Sequence, residues 1–345
     1  MTRIRIHPAL VQGAVSFTRP ADAALRPWRL PADELSLFPS PDDGLVMRAG
    51  CPSGVRLRFA TTSPWVEARL RPSDPAGVSD EEPFVVDLTS AGIVVESRRV
   101  ENGAMRLALE PSTDCESTDE GLPIYEIWLN QARGTLLESV EIEDGSAFDI
   151  PADIRPRWLA YGSSITMCRT AYSPARTWPA TAARRLNLNL TNLGFGGQCH
   201  LDPMVGRVIR NLPADVITVK LGINVYGGAS LGPRTYQPAV IGLISTIRDG
   251  HSRTPIGVIT SIVSPSRERV PNAVGCTLED YRAMTREAVL RLQEHGDEHL
   301  LLFEGSELFC EDDAHLLPDG LHPSGAGYEL MGNRAAELVL PRLGV

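Results

Sequence analysis

Two rhythms divide this chain. Between residues 55 and 142, apolar and polar positions alternate in short runs: Val55-Arg-Leu-Arg-Phe59, Trp65 to Arg71, Phe84 to Leu88, Ile93 to Ser97, Met105 to Leu109, Ile124 to Leu129 and Leu137 to Ile142. Alternation with a period of two places one face of a strand in a core and the other in water. Turn-rich breaks such as Pro72-Ser-Asp-Pro75 and Glu101-Asn-Gly103 separate the runs. Many short strands at this spacing predict an all-β sandwich or jelly roll. Residues 19 to 54 carry several prolines and little periodicity, which predicts an irregular lead-in. Asp149-Ile-Pro-Ala-Asp-Ile-Arg-Pro156 reads as a linker. The boundary is therefore expected at about 153, with a β domain over 1–153 and a second domain over 154–345.

From residue 157 the rhythm changes. Apolar runs at Trp158-Leu-Ala160, Leu188 to Leu193, Val216 to Leu221, Ile256 to Thr260 and Leu300 to Phe303 alternate with helical segments. Those segments fall at about 177–187, 202–211, 236–249, 277–294 and 325–339. Thr277-Leu-Glu-Asp280 is a capping-box pattern at a helix start. Five strands alternating with helices predict a doubly wound, parallel, five-stranded α/β sheet, with reactive groups at the carboxyl ends of its strands.

The segments that follow those strands carry the chemistry. The first strand leads into Gly162-Ser163-Ser164-Ile-Thr166, and the second ends in Asn192-Leu-Gly194-Phe-Gly196-Gly197. The third leads into Gly222-Ile-Asn224, and Asp319-Gly-Leu-His322 precedes the last helix. A serine hydroxyl becomes a nucleophile when a base takes its proton, usually a histidine held in one tautomer by a carboxylate. Asp319, three residues before His322, is close enough for a turn to present it to Nδ1. An oxyanion needs preformed donors. Gly197 lets a backbone N–H approach a ligand, and Asn224 offers an NH2. On residue type alone, Ser163 and Ser164 both remain candidates, and a pair of serines after a strand is also an ordinary turn.

In this order, the four blocks resemble those of the SGNH (GDSL-type) hydrolases, over roughly residues 157 to 345. The resemblance implies a flavodoxin-like sheet, Ser164 as nucleophile, His322 as base and Asp319 as its orienter. It implies an oxyanion hole from the Ser164 N–H, the Gly197 N–H and the Asn224 side chain. The β-rich leading domain is similar to that of a subgroup which includes an acyltransferase esterifying a hydroxyl of a tetracycline-type natural product. Two departures stand out: Ser163 occupies the place of the family's usual Asp, and Val225 follows Asn224 where an Asp is common. The Gly-x-Ser-x-Gly elbow of α/β-hydrolases fails at Thr166.

Other residues carry weaker signals. His200 and Ser264 are candidate substrate contacts, because each follows a strand. Asp202 reads as a helix cap, Trp178 as core, and Arg267-Glu-Arg269 as a solvated loop. His315 lies near Asp312 and Asp313, but no second histidine stands at ligand spacing, so no metal is expected.

Composition narrows the classes. The formal net charge is −10, and Lys220 is the only lysine among 345 residues. That balance disfavours nucleic acid and anionic membranes, which attract clustered cations. No run approaches a membrane span, and Met1 to His7 lacks the apolar core of a signal peptide. Cysteines 51, 115, 168, 199, 276 and 310 form no CxxC pair and read as reduced thiols. The expectation is a cytoplasmic enzyme without a cofactor, and a homo-oligomer is compatible with it. Its substrate would be a small-molecule acyl ester. The acyl group would pass to water in an esterase, or to an alcohol or sugar hydroxyl in an acyltransferase. A carbohydrate-binding protein with an inert second domain is the third reading, and the complete block set argues against it.

Overall fold

The computed structural model describes residues 1–20, 24–73, 83–100, 103–110 and 116–345. Two sequence expectations reach outside these residues: the turns at 74–75 and 101–102, and the thiol of Cys115. The chain forms two compact units. One comprises Met1–Asp33, Ala49–Arg155 and Ser173–Ala175; the other comprises Glu34–Arg48, Pro156–Tyr172 and Arg176–Val345.

The first unit is antiparallel throughout. Its strands are β1 (Thr2–Arg5), β2 (Val11–Gln12), β3 (Ser16–Thr18), β4 (Arg26–Trp28), β5 (Arg56–Thr61), β6 (Trp65–Pro72), β7 (Val85–Ser90), β8 (Ile93–Arg99), β9 (Ala104–Ala108), β10 (Ile124–Trp128), β11 (Thr135–Ile142) and β12 (Phe148–Asp149). One sheet has the order β1-β11-β6-β9, and the other β12-β5-β10-β7-β8 with β2 beside β5. Val66, Ala68, Leu70, Leu107 and Val140 of the first sheet share a core with Leu57, Phe59, Val86, Leu88 and Ile127 of the second. Burying one face from each sheet is what the alternating pattern requires, and the result is a sandwich.

The segment read as a linker is built into this unit. Arg155 Nη2 donates to Glu126 Oε1 at 2.5 Å and to Asp153 Oδ2 at 2.6 Å, and Arg56 Nε donates to Glu126 at 3.0 Å. The Arg56, Glu126, Asp153 and Arg155 side chains are all less than 10 % exposed. Burial alone would raise the Glu126 and Asp153 carboxyls. The surrounding guanidiniums outweigh it, so both lie below the usual carboxylate range.

The second unit is the parallel α/β sheet. Its strands are β13 (Arg157–Gly162), β14 (Asn189–Gly194), β15 (Val216–Lys220), β16 (Ile256–Ile259) and β17 (Leu300–Phe303). Their order is β14-β13-β15-β16-β17, all pairs parallel. The helices are α1 (Gly44–Ala49), α2 (Ser164–Met167), α3 (Trp178–Arg185), α4 (Pro203–Asn211), α5 (Ile223–Gly228), α6 (Tyr236–Arg248), α7 (Leu278–Glu294), α8 (Gly305–Leu308) and α9 (Gly325–Arg334). Thr277 and Asp280 close the expected capping box on α7. The strand order reverses beside β13, so the groups after β13, β14 and β15 gather at the switch point. Among the described residues, no helix is long and apolar enough to cross a membrane.

Candidate active site

β13 is the inner strand whose end starts the site. Its residues from Trp158 to Gly162 are buried, and Ser163 caps the short helix α2, its hydroxyl accepting the Ile165 N–H at 3.2 Å. Serine and aspartate are comparable N-caps, so Ser163 can fill the capping role of the aspartate it replaces. α2 stops at Cys168, whose φ is 59°. Trp178 is 1 % exposed and donates its indole N–H to the Ile165 carbonyl at 2.9 Å, so it is core, as its sequence context predicts. The next strand is fitted against this turn. A Cβ on Gly194 would collide with the backbone of Thr166 and Met167. Asn192, fully buried, donates to the Thr166 carbonyl at 3.0 Å.

The two serines differ in what they can do. Ser163 is 1 % exposed and spent on the cap. Ser164 is half-buried, and its Oγ lies 2.9 Å from His322 Nε2. On the far side of the ring, His322 Nδ1 lies 2.6 Å from Asp319 Oδ2. Asp319 Oδ1 also accepts the Leu321 N–H at 2.9 Å and the His322 N–H at 2.7 Å. Burial pushes the Asp319 carboxyl up, but the hydrogen bonds from His322 and Leu321 outweigh it and hold the pKa at about 2. The carboxylate is therefore ionised at neutral pH. It fixes the Nδ1–H tautomer and leaves Nε2 free to accept the Ser164 proton.

Three donors singled out in the sequence are left unused. Among the described residues, no hydrogen bond within the chain uses the Ser164 N–H, the Gly197 N–H or the Asn224 NH2. Asn224 Oδ1 accepts the Cys199 N–H at 3.0 Å, which ties α5 to the Gly197 loop and leaves the NH2 as the outward donor. Gly197 has φ 73° and Gly222, before Asn224, φ 110°; both lie in the region that favours glycine. A Cβ on Gly196 would stand 3.6 Å from Ser164 Cβ, so this loop and the Ser163–Ser164 turn are neighbours.

The weaker candidates sort differently. His200 Nε2 lies 3.0 Å from the Gly197 carbonyl and Nδ1 2.7 Å from Ser230 Oγ, so its ring braces the Gly197 loop. Ser264 is 1 % exposed and donates to the Gly320 carbonyl at 2.7 Å; its hydroxyl is already committed. Asp202 stands at the N-cap position of α4, but its side chain makes no cap hydrogen bond, and burial raises its pKa. Of the loop expected to be solvated, Arg269 is exposed, whereas Arg267 and Glu268 are half-buried. Glu268 pairs with Arg282 on α7, a partner the local sequence could not reveal. Asp313 pairs with Arg334 and His315 lies against the Asp312 carbonyl; the described residues hold no cluster suited to a metal.

Sequence reasoning missed the contribution of Glu34–Arg48. This stretch clusters with the second unit, and Arg207 pairs with its Glu34 at 2.9 Å. A Cβ on Gly44 would stand 2.5 Å from Gln198 Nε2, and one on Gly196 would stand 3.6 Å from Arg48 Nε. The stretch thus packs on the Gly197 loop and brings Arg48 near Ser164. Its glycine and apolar run (Gly44-Leu-Val-Met) was the available local signal for a helix. Nothing local marked its long-range partner. Lys220, noted in the sequence only as the sole lysine, has an unusual setting. It is 2 % exposed, its Nζ has no hydrogen-bond partner among the described residues, and burial lowers its pKa to about 8.

A parallel sheet of order 2-1-3-4-5, with a Ser–His–Asp relay and spare donors at its switch point, defines the SGNH class of acyl-transfer enzymes. Residues 157–339 match the GDSL-like lipase/acylhydrolase family, and residues 10–130 match the N-terminal domain of SsfX3. The chain belongs to the GDSL-like lipase/acylhydrolase family and is an enzyme of the GDSL/SGNH hydrolase or acyltransferase type. Among solved structures it is similar to the salicylyl-acyltransferase SsfX3 from a tetracycline biosynthetic pathway. That match has 29% identity and a TM-score of 0.88, and covers 100% of this chain and 98% of the other. It shares its fold with a family two carbohydrate esterase from Clostridium thermocellum, solved with cellohexaose, at 16% identity, TM-score 0.59, and coverage of 84% and 92%. A family two carbohydrate esterase from Cellvibrio japonicus matches at 14% identity, TM-score 0.61, and coverage of 99% and 98%. No curated protein sequence matches the chain.

Proposed function

We propose that the protein is a serine-dependent carboxylic-ester hydrolase working through an acyl-enzyme on Ser164. The observation that carries this reading is the continuous relay from Ser164 Oγ through His322 to Asp319, at 2.9 and 2.6 Å. Ser164 Oγ attacks the ester carbonyl carbon while its proton passes to His322 Nε2. The carbonyl π electrons move to oxygen, and that oxyanion is met by the Ser164 and Gly197 N–H groups and the Asn224 NH2. Collapse breaks the bond to the leaving alcohol, which takes the proton from His322. Water then attacks the acyl-enzyme, giving a proton to Nε2, and the acid leaves as Ser164 recovers it.

A second reading replaces water with an alcohol. The similarity to the salicylyl-acyltransferase over the full length of both chains supports it, and the relay serves both acceptors equally. In either case the substrate is a small acyl ester, the acceptor is water or a hydroxyl on a natural product or sugar, and no metal takes part. The catalytic unit in this reading comprises Pro156–Tyr172 and Arg176–Val345 together with the packed stretch at Glu34–Arg48.

The test is labelling of the intact protein with a fluorophosphonate, followed by peptide mapping. The adduct is expected on Ser164, to be absent in Ser164→Ala and retained in Ser163→Ala. A label on Ser163, or full ester turnover by Ser164→Ala, would overturn the assignment. Product analysis from an aryl ester, with and without an added alcohol, then separates the acceptors: a new ester identifies a transferase, free acid alone a hydrolase.

A further inference from the structure

Behind the Asp319–His322 turn lies a polar clasp that the acyl-transfer steps do not use. Ser264 follows β16, and its buried hydroxyl donates to the Gly320 carbonyl at 2.7 Å. Arg267 Nη1 reaches the same carbonyl at 3.2 Å, and Ser264 Oγ at 3.1 Å. The loop bearing both is itself held. Glu268 Oε1 accepts the Ser264 N–H at 2.7 Å, and Arg282 of α7 grips Glu268 at 2.5 and 2.9 Å. Arg282 also donates to the carbonyls of Ser261 and Ile262, each at 2.8 Å, just beyond the end of β16.

Gly320 stands between Asp319 and His322, with φ 72°. The bonds from Asp319 Oδ1 to the Leu321 and His322 N–H groups lie inside the turn. They set its shape; its position depends on bonds to other segments, among them the Gly320 N–H to the Leu317 carbonyl at 3.0 Å and Thr170 Oγ1 to the Pro323 carbonyl at 3.2 Å. The Asp319 side chain is 55% exposed, so packing holds it weakly. The grip on the intervening carbonyl adds an anchor from the loop after β16, which α7 holds through Arg282.

We propose that Ser264 and Arg267 are positioning residues, which fix the Gly320 carbonyl and thereby hold the Asp319–His322 turn in register with Ser164. This rests on the reading of Ser164, His322 and Asp319 as the catalytic relay. A displacement of about 1 Å at such a relay can cost on the order of 100-fold in rate. Both side chains are spent on the Gly320 carbonyl, so the loss should fall on kcat rather than on KM.

Ser264→Ala, Arg267→Ala and the double variant are compared with the parent for fluorophosphonate labelling rate, aryl-ester kcat and KM, and melting temperature. We expect labelling and kcat to fall about tenfold for each single variant and about 100-fold for the double, with KM unchanged. Arg267→Lys is expected to recover part of the loss. In an Asp319→Ala background, where the relay is already broken, the clasp substitutions are expected to add little. Parent-like labelling by folded Arg267→Ala and Ser264→Ala overturns the proposal, as does a full additive loss in the Asp319→Ala background. A Ser164→Ala protein that still turns over ester overturns the catalytic reading beneath it; a silent Ser164→Ala with fully active clasp variants overturns the clasp alone. If Ser264→Ala fails to fold, half-buried Arg267 still decides the question.

Discussion

Replacing Asp319 by asparagine should damage the enzyme more than replacing it by alanine. Asp319 does two jobs with two oxygens. Oδ1 accepts the N–H groups of Leu321 and His322, and Oδ2 accepts the His322 Nδ1–H at 2.6 Å. Alanine removes a charge-assisted hydrogen bond worth about 1.5–3 kcal/mol, which is roughly 10- to 150-fold in rate. The side chain is 55% exposed, so water enters the gap, and the lower half of that range applies. Asparagine can keep Oδ1 on the turn and place an NH2 where Oδ2 was. That NH2 donates to Nδ1, which moves the ring proton to Nε2. Nε2 then donates towards Ser164 and cannot take its proton. A wrong tautomer of this kind costs about 10⁴-fold in turnover. The assay is pre-steady-state release of the aryl alcohol, which isolates acylation, with melting temperature as a control for folding. Asparagine retaining more than about a tenth of parent activity would refute the tautomer argument. Equal rates for the two variants would show that Asp319 acts only by its charge.

Other outcomes follow from the same geometry. Asn224→Ala should lose about 100- to 1000-fold in kcat, the usual cost of one oxyanion donor, and Asn224→Asp should be no better, because its carboxylate repels the developing charge; parent-like kcat in either would remove Asn224 from the hole. Gly194→Ala should destabilise the second unit by about 1–3 kcal/mol in urea, since the new methyl meets the Thr166–Met167 backbone. Glu126→Ala should cost about 3–5 kcal/mol, because it removes one of the two carboxylates that face buried Arg56 and Arg155 and leaves Asp153 alone between them. The folded-state pKa values of Glu126 and Asp153 are depressed, so their contribution is complete above the unfolded carboxylate range near ~4 and is lost as pH falls through the lower folded values. Acid titration of the parent should therefore show a loss of stability that Glu126→Ala largely lacks.

The site was far more legible in sequence than its surroundings. Ser164, Gly197 and Asn224 each follow a strand, and a parallel sheet sends every strand end to the same edge; the Asp319-x-x-His322 pair comes after two short helical segments beyond β17, just before α9. The order of blocks was thus a proxy for proximity. Long helices were readable from periodicity and local caps: α7 begins one residue after the Thr277 cap. Short α2, α5 and α8 span four to six residues, too few for a period to repeat. The failures share one cause, a partner distant in sequence. Arg267 and Glu268 looked solvated because Arg282 and Gly320 were invisible. The stretch at 149–156 looked like a linker because Arg56 and Glu126 lie far upstream. Residues 34–48 looked irregular because their packing surface begins near residue 196.

Acyl-transfer chemistry of the kind proposed here exposes an enzyme's own side chains to acyl donors. Lysine amines are the side chains most readily turned into stable amides, and amide formation is not undone by an ester-directed relay. Here the sole lysine is Lys220, sealed at the end of β15 with 2 % exposure, and the remaining side-chain cations are arginines. Guanidinium stays protonated and is a poor acyl acceptor. The surface can therefore carry its positive charges among reactive esters without offering a side-chain amine to consume them. Apart from the exposed α-amine of Met1, the folded protein offers amine-reactive reagents only buried Lys220, whose labelling would report opening of the second unit.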